Sequence, residues 1–374
     1  MRVAVAMSGG VDSSVAAALM VEQGHEVVGL TMKLRDTTAE ERAGRSASCC
    51  SPDDLMDART VCDTLGVAHY VIDYRDAFRA AVIEPFARTY LAGLTPNPCV
   101  ACNDHVKFAP LLERARALGA DLLVTGHYAR VEPDPAGGFA LCKGADQAKD
   151  QSYFLFGLDQ SALAQVRFPL GEMSKDAVRD HARRLGLSTW DKHDSEDICF
   201  VPDGDYARVV EQVAGPAHAP APGAIVHQDG RALGTHGGVH RFTVGQRKGL
   251  GVATGERLFV LSVDGDARRV TVGPRAALSA SGLRASRWRW VSGRPEAGPV
   301  HGQVRIRYRH AGVGATVLVD GAQARVVFDT PQAAIAPGQA VVLYAGDRVW
   351  GGGFIDGALC EASPDRAEAG RGRG

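Results

Sequence analysis

The chain has 374 residues, of which 45% are hydrophobic and 23% charged, a composition typical of a globular protein with two or three domains. Its formal net charge of −1 excludes nucleic-acid binding through a global excess of cations, so such a contact needs a local basic face. No apolar stretch is long enough for a membrane span and no signal-like leader precedes the first predicted strand, which predicts a cytoplasmic location and no membrane partner. The eight cysteines are too sparse for a disulfide scaffold, which makes some of them candidates for reactive or metal-binding roles.

The first predicted element is a strand that leads through a glycine turn into a helix. Residues 3–6 are apolar, residues 8–13 read SGGVDS, and an apolar-periodic stretch runs on to Gly24. Such a turn directs backbone N–H groups and the positive end of a helix dipole into one hollow, where a phosphate binds. It lacks the Gly-Lys-Ser/Thr of a Walker A loop and resembles the pyrophosphate loop of the N-type ATP pyrophosphatases, which implies that Ser8 and Ser13 hold the leaving pyrophosphate. The alternative is a plain strand-to-helix turn.

Residues 26–32 form a second apolar strand, so the first 32 residues predict a βαβ unit, a parallel sheet and a phosphate turn at the sheet's carboxyl edge. Adenine is then expected near Met32. The polar residues 33–48 predict a loop, and the vicinal Cys49 and Cys50 are interpreted as structural. A helix over 51–66, capped by Ser51, and a strand over 67–74 follow.

A helix over 77–91 is followed by a break with two prolines, and the break leads to Cys99-Val-Ala-Cys102-Asn103 before a helix over 108–118. A thiol at a helix N-terminus has its thiolate favoured, as a nucleophile or a metal ligand requires. The strand over 121–125 ends at Gly126 and His127. The phosphate turn, the cysteine loop and His127 are therefore expected on one rim, although His127 could equally be a packed core histidine.

Residues 128–144 predict a hairpin, and residues 149–153 predict either a nucleotide-facing turn or a capped helix start. A helix over 174–186 begins at the cap Ser174. Residues 191–200, DKHDSEDICF, are charged until they end in Cys199 between two apolar neighbours. This pattern indicates a loop whose tip inserts into a pocket, and the alternative is a single core cysteine.

After Pro202 the pattern changes to short alternating runs separated by glycine turns, with a linker-like PAHAPAP at 216–222. The fold class is predicted as α/β: a Rossmann-like parallel-sheet domain over 1–205, a small β-rich central domain over 206–280, a six-stranded antiparallel barrel or sandwich over 281–360 and a disordered tail over 361–374. The alternation places Arg305, Arg307 and Arg309 on one face, and it groups Arg287 with Arg289 in the same way. These rows suit either phosphate contact and base stacking or a solvated sheet face.

Six motifs occur in order: SGGVDS at 8–13, TPNPCVACN with VKF at 95–108, TGHYAR at 125–130, KDQSYFL at 149–155, DSEDICF at 194–200 and FTVGQRKGLGV at 242–252. Together they resemble the bacterial tRNA-specific 2-thiouridylase family over residues 1 to about 356. The resemblance implies an ATP pyrophosphatase domain, a small central domain and a C-terminal β-barrel that contacts tRNA.

The resemblance also implies roles for particular residues. It implies that Cys102 is the nucleophile and that Cys199 carries a persulfide. The residues that it places at ATP are Ala6, Met7, Ser8, Gly9, Gly10, Val11, Asp12, Ser13, Met32 and Gly126. It places Asn97, Pro98 and Cys99 against the target base. The further tRNA contacts that it implies are His127, Lys149, Asp150, Gln151, Arg307, Tyr308 and Gln339.

The implied reaction is 2-thiolation of uridine 34 in the tRNAs for Lys, Glu and Gln, with ATP, Mg²⁺ and a sulfur donor such as a cysteine desulfurase or a sulfur-relay protein. Because the uridine C2 oxygen is a poor leaving group, ATP adenylates it and charge on the pyrophosphate is held by the turn and by Mg²⁺. The Cys199 persulfide then delivers sulfur while Cys102 attacks the bridging sulfur, which leaves a disulfide that a reductant resets.

Three alternatives remain open from the sequence. Many members of the family carry Asp where this chain has Cys99, and the thiolates of Cys99, Cys102 and Cys199 could instead hold a 4Fe–4S cluster with one open iron. Zinc is disfavoured because no fourth protein ligand is evident. An ATP-dependent amidating ligase, such as the synthetases of argininosuccinate, GMP and NAD, shares the turn but does not need two cysteines. A non-enzymatic tRNA-binding protein is the third alternative.

Overall fold

The computed structural model describes residues 1–36, 52–193, 198–201, 203–216 and 219–359. The sequence predictions for most of the loop at 33–48, for Ser51, Cys49, Cys50 and for the tail at 361–374 lie outside the described residues. Within those ranges, no helix combines the length and the apolar character that a membrane span requires.

The N-terminal part is a five-stranded parallel sheet in the order β3-β2-β1-β4-β7. Its strands are β1 (Arg2–Ala6), β2 (Glu26–Lys33), β3 (Ala68–Asp73), β4 (Leu122–Val124) and β7 (Val166–Arg167). The sheet confirms the predicted Rossmann-like α/β class. The sequence analysis missed β7, a strand of two residues, because so short a segment carries no periodicity.

Helices connect and cover these strands. They are α1 (Val11–Glu22), α2 (Pro52–Leu65), α3 (Arg75–Phe78), α4 (Glu84–Leu91), α5 (Pro98–Cys102), α6 (Phe108–Ala117), α7 (Gln160–Gln165), α8 (Lys175–Arg184) and α9 (Tyr206–Ala214). π-helical turns at Arg79–Ile83 and Asn103–Lys107 join α3 to α4 and α5 to α6. The helix predicted from residue 108 therefore already begins at Pro98, so both cysteines of PCVAC are helical.

Helix α9 lies in a region that the sequence analysis expected to be β-rich. Asp205 caps it by accepting a hydrogen bond from the Arg208 amide at 3.1 Å. Its Tyr206 ring stacks on Tyr90 of α4, with ring centroids 4.5 Å apart. The helix thus packs on the N-terminal part although the predicted boundary at residue 205 assigns it to the central domain; that boundary stays a prediction.

A four-stranded sheet in the order β10-β11-β8-β9 forms the central part. Its strands are β8 (Gly223–His227), β9 (Ala232–His236), β10 (Phe259–Asp264) and β11 (Arg269–Gly273). The β11–β8 pair is parallel and the other pairs are antiparallel. A separate apolar cluster that includes Ile225, Val260, Val270 and Val272 fills this small domain.

The C-terminal part is a closed barrel of six antiparallel strands in the order β12-β15-β14-β13-β16-β17, with β12 pairing back to β17. Its strands are β12 (Ser279–Trp290), β13 (Val300–Arg305), β14 (Val313–Asp320), β15 (Gln323–Ala333), β16 (Ala340–Ala345) and β17 (Arg348–Leu359). The barrel confirms the prediction of a six-stranded barrel or sandwich, and closure removes the sheet edges that a sandwich would leave.

The predicted hairpin is present as β5 (Ala129–Pro133) and β6 (Phe139–Lys143), and it does more than the sequence indicated. Cys142 of β6 pairs with Arg348 of β17, so the hairpin extends the barrel sheet. One apolar cluster then runs from the N-terminal part into the barrel through residues such as Leu111, Phe156 and Tyr344.

One of the two predicted rows of arginines on barrel strands is wrong. Strand β13 ends at Arg305, so Arg307 and Arg309 lie in the turn that follows and share no strand face with it. In the other row, Arg287 and Arg289 are both exposed and Trp288 between them is buried, as the alternation predicts, although Arg287 has φ +54° within a register shift between β12 and β17.

Candidate active site

The glycine turn after β1 is closed by its two serines. The Ser13 hydroxyl accepts a hydrogen bond from the Ser8 amide at 3.1 Å and lies 3.2 Å from the Ser8 hydroxyl, and it donates to the Gly10 carbonyl at 3.1 Å. Gly10 precedes α1 directly, so the free amides of that helix start at the turn. The strand, turn and helix start are present as predicted, and phosphate binding by this turn stays a prediction.

Two glycines allow neighbouring elements to close on this turn. Gly9 has φ +75°, and a Cβ there would lie 2.1 Å from the Asp54 carbonyl oxygen of α2. A Cβ on Gly126, just after β4, would lie 2.7 Å from the Asp12 carbonyl carbon of α1. Neither position accepts a larger residue unless backbone moves.

Two lysines that the sequence analysis did not single out lie at the same turn. Lys175, the first residue of α8, donates to both carboxylate oxygens of Asp12 at 2.8 and 2.9 Å, and the Tyr128 hydroxyl donates to the same carboxylate at 2.7 Å. Lys192 donates to the Gly9 carbonyl at 2.9 Å. The SGGVDS motif contains no lysine or arginine, and two lysines from distant parts of the chain lie beside it instead.

Lys192 also joins the turn to α2. Its ammonium contacts the carboxylates of Asp54 and Asp57, each at 2.6 Å. Partial burial disfavours the charged ammonium, but the hydrogen bonds that it donates to both carboxylates outweigh this effect and raise the pKa of Lys192. Lys192 therefore stays charged beside the phosphate hollow. Its only sequence signal was its place in the charged run before Cys199.

Helix α5, which carries Cys99 and Cys102, is capped at its N-terminus by Asn97. Asn97 accepts a hydrogen bond from the Val100 amide at 3.2 Å and Pro98 occupies the first helical position. Cys99 is exposed, whereas Cys102 is buried with 7% of its surface exposed. Asn103 donates to the Phe154 carbonyl at 3.0 Å, which ties this helix to the segment after Gln151.

Cys199 lies with Cys102 in one apolar cluster. Cys102, Phe78, Phe86 and Phe200 are buried members of the cluster, and Cys199 packs against it. Met32, near the end of β2, packs against the same cluster. Both predicted reactive cysteines thus belong to the cluster that Met32 also contacts, and adenine near Met32 stays a prediction.

The thiols of Cys99, Cys102 and Cys199 are the candidate donors for a metal site. In the described ranges, which include Cys99, Cys102 and Cys199, no three His, Cys, Asp or Glu side chains are arranged to hold a metal ion. The three thiols therefore do not fit a 4Fe–4S cluster in this conformation. Mg²⁺ makes no such demand, because it binds chiefly through substrate phosphates and waters with one or two protein carboxylates.

Comparison with known proteins decides the family. The chain is 52% identical over 356 residues to the tRNA-specific 2-thiouridylase MnmA of Magnetococcus marinus, which covers 95% of this chain and 98% of that protein. It is 49% identical over 361 residues to the protein of the same name from Geotalea uraniireducens, with 96% of each chain covered. This chain belongs to the tRNA-specific 2-thiouridylase family.

Three domain models match the chain in succession. The tRNA methyl transferase HUP domain matches residues 1–203, the tRNA methyl transferase PRC-barrel domain matches 215–274, and the Aminomethyltransferase beta-barrel domain matches 280–355. The order of the three agrees with the parallel sheet, the small central sheet and the barrel described above.

In this 2-thiouridylase-family chain, the predicted tRNA contact His127 is packed between aromatic rings. Its ring centroid lies 5.7 Å from those of Phe108 and Phe168, and Nδ1 lies 2.6 Å from the Thr125 hydroxyl. Burial, with a smaller effect from the charge of Lys107, lowers the pKa of His127 to about 3. The ring is therefore neutral at physiological pH and contributes no cation to a phosphate contact.

Two predicted tRNA contacts of the barrel, Tyr308 and Gln339, lie against the N-terminal part. The Tyr308 ring packs on Phe154, with centroids 4.5 Å apart, and the Gln339 amide donates to the Pro96 carbonyl at 2.9 Å. Arg307 is exposed. Gln339 thus supports the loop that carries Asn97 to Cys99. In contrast, Asp150 is buried and its carboxylate is used inside the protein.

Proposed function

We propose that this chain catalyses the ATP-dependent 2-thiolation of uridine in tRNA. The observation that carries the proposal is the packing of Cys102 and Cys199 into one cluster that Met32 of β2 also contacts. Two cysteines and a nucleotide hollow at one edge of a parallel sheet suit an adenylation followed by a sulfur transfer. An amidating ligase has no use for the second cysteine.

The activation step uses the turn of Ser8 to Ser13. The uridine C2 oxygen attacks the α-phosphorus of ATP, the bond to the β-phosphate breaks, and pyrophosphate leaves into the hollow of amides and serine hydroxyls. When bound, Mg²⁺ neutralises charge on the departing pyrophosphate. Lys192 supports this step because its ammonium donates a hydrogen bond to the Gly9 carbonyl, which places a positive charge beside the turn.

The transfer step uses the cysteine pair. The terminal sulfur of a Cys199 persulfide attacks the activated C2, and AMP leaves with the electrons of the C2–O bond. The Cys102 thiolate then attacks the Sγ of Cys199, the S–S bond breaks, and the base retains its sulfur as a thiocarbonyl. The product disulfide joins Cys102 to Cys199, and a dithiol reductant returns two electrons to reopen it.

The finer assignments belong to the same proposal. The substrate is uridine 34 of the tRNAs for Lys, Glu and Gln, with Asn97, Pro98 and Cys99 against the base and Lys149, Gln151, Arg307, Tyr308 and Gln339 toward the anticodon arm. The exposure of Arg307 and the half-buried Tyr308 ring beside Phe154 support this face. The sulfur comes from a cysteine desulfurase or a relay protein in the cytoplasm, and the domains divide at residues 205 and 280.

The test is nucleoside mass spectrometry of an unmodified glutamate tRNA transcript after incubation with the protein, Mg-ATP, a reductant and a persulfide donor. We expect ATP-dependent 2-thiouridine at position 34, and we expect Cys102→Ala and Cys199→Ala each to abolish it while tRNA still binds. Cys142→Ala is the matched control, since burial raises the pKa of the Cys142 thiol to about 11 and keeps it unreactive.

Three results would contradict this proposal. Thiolation that survives either Cys102→Ala or Cys199→Ala removes that residue from the sulfur transfer. Thiolation that appears only after anaerobic reconstitution with iron, in protein with a brown chromophore, replaces the persulfide route by the cluster. Ammonia-dependent ATP cleavage without tRNA would favour the amidating-ligase alternative instead.

A further inference from the structure

Asp150 makes three hydrogen bonds inside the protein. Its Oδ1 accepts from the Gly144 amide at 3.2 Å and from the Ser152 amide at 3.1 Å, and its Oδ2 accepts from Arg305 Nη1 at 2.8 Å. Only 1% of the Asp150 side chain and 15% of the Arg305 side chain are exposed. The carboxylate that the family resemblance places at tRNA is therefore enclosed by protein.

The ion pair crosses between the N-terminal part and the barrel. Arg305 is the last residue of β13, and its guanidinium lies 5.1 Å from the centroid of the Tyr344 ring in β16. The residues after Asp150 continue the contact, because Ser152 Oγ lies 3.3 Å from the Tyr344 hydroxyl and the Tyr153 hydroxyl donates to the Ala340 carbonyl at 2.9 Å.

Each residue of the pair lies within or just before a proposed tRNA-binding segment: Asp150 within 149–151, and Arg305 before 307–308. Lys149 and Gln151 flank Asp150 directly. Arg307 and Tyr308 follow Arg305 by two and three residues, in the turn where β13 has ended. A charge pair with so little exposure is costly to break, because each partner would remain buried without its counter-charge. It therefore holds the two segments at one relative position.

We propose that Asp150 and Arg305 are positioning residues for tRNA: their buried pair aligns the segment 149–151 with the turn at 307–308, and Asp150 itself does not touch the RNA. This inference rests on the proposed tRNA thiolation. It assigns the binding contribution of the 149–151 segment to Lys149 and Gln151. The tRNA face then exists only when the barrel is docked on the N-terminal part.

The test is a double-mutant cycle in the full chain with Asp150→Asn, Arg305→Met and the double variant. We expect each single change to raise KM for the tRNA transcript roughly tenfold, with KM for ATP changed by less than about twofold. The double variant should be no worse than either single one, since both remove the same link. Arg305→Lys, which keeps the charge, should recover part of the affinity.

Asp134→Asn is the matched control. Asp134 is also a buried carboxylate whose partner, Arg348, lies on the barrel, but neither residue adjoins a proposed tRNA segment. It should lower the melting temperature as Asp150→Asn does and leave KM for tRNA within about twofold. If Asp134→Asn raises KM for tRNA equally, the effect of Asp150→Asn comes from a general loss of contact between the barrel and the N-terminal part, and the inference is overturned.

A direct contact of Asp150 with RNA gives a different pattern. In that case Asp150→Asn raises KM for tRNA while Arg305→Met does not, or the two effects multiply, and the inference is overturned. Fluorescence-detected tRNA binding to the same variants is measured in parallel. Absence of thiolation by the wild-type protein would defeat the proposed function, whereas the binding cycle would still decide the role of the pair.

Discussion

Lys192 shows how one side chain links the glycine turn after β1 to the rest of the fold. Its ammonium contacts the Gly9 carbonyl and the carboxylates of Asp54 and Asp57, so a single charge holds the glycine turn against α2. The same residue lies seven positions before Cys199. A loss of its charge should therefore affect ATP binding more than tRNA binding.

Lys192→Met is expected to raise KM for ATP in a pyrophosphate-release assay and to lower the free energy of unfolding by about 1–3 kcal/mol, because two partly buried carboxylates lose their counter-charge. Adding Asp54→Asn and Asp57→Asn should restore stability without restoring KM for ATP. An unchanged KM for ATP in Lys192→Met would remove this lysine from the phosphate site.

At the scale of elements, the close approach of α1 to the end of β4 shapes the phosphate hollow. Gly126 allows this approach, since a Cβ there would collide with the backbone of Asp12 and Ser13 at 2.7 and 2.8 Å. Gly24, after the other end of α1, has a left-handed φ of +77°, which Gly126 does not, and nothing lies within 4 Å of its Cβ position. The two glycines therefore serve different purposes.

Gly126→Ala is expected to abolish pyrophosphate release, because the N-terminal turn of α1 must move away from the hollow. Gly24→Ala, just beyond the other end of α1, is the control: it should cost about 1 kcal/mol of stability through backbone strain and leave KM for ATP unchanged. Both are measured by pyrophosphate release and by urea denaturation. Normal activity in Gly126→Ala would show that the hollow tolerates this displacement.

For the whole molecule, the N-terminal part and the barrel share one hydrophobic core. Phe156 is 1% exposed and packs against Phe354 of β17, with ring centroids 6.0 Å apart. Phe156 also packs directly on the backbone of Gly352 in β17, where a Cβ would lie 2.7 Å from Phe156 Cδ2. Because apolar surface from both parts is buried together, neither part should unfold alone.

Phe156→Ala is expected to lower the free energy of unfolding by about 3–5 kcal/mol and to shift all probes together. Far-UV circular dichroism follows the helices, and fluorescence follows chiefly Trp288, Trp290 and Trp350 of the barrel. Leu318→Ala, at an exposed barrel position, should cost less than about 1 kcal/mol. Two separated transitions in the wild-type protein would contradict a shared core.

Local patterns made much of this protein predictable. Short-range geometry sets the apolar strand, the glycine turn of SGGVDS and the helix after it. Together with the second strand they form a βαβ unit, which predicts a parallel sheet. Period-two alternation likewise predicted the barrel. Helix α9 was not predicted because the short alternating runs that follow Pro202 favour strands, although the apolar spacing of residues 206–214 is helical.

The sequence by itself determined the fold class, the phosphate turn and the candidate cysteines, because each depends on residues close together in the chain. Only the tertiary structure decided that Lys175 and Lys192 supply charge at the turn, that Asp150 is enclosed by Arg305, and that β6 extends the barrel. These contacts join residues far apart in sequence. Their partners are selected by packing and by the cost of burying a charge unpaired, and neither leaves a periodic signal in the chain.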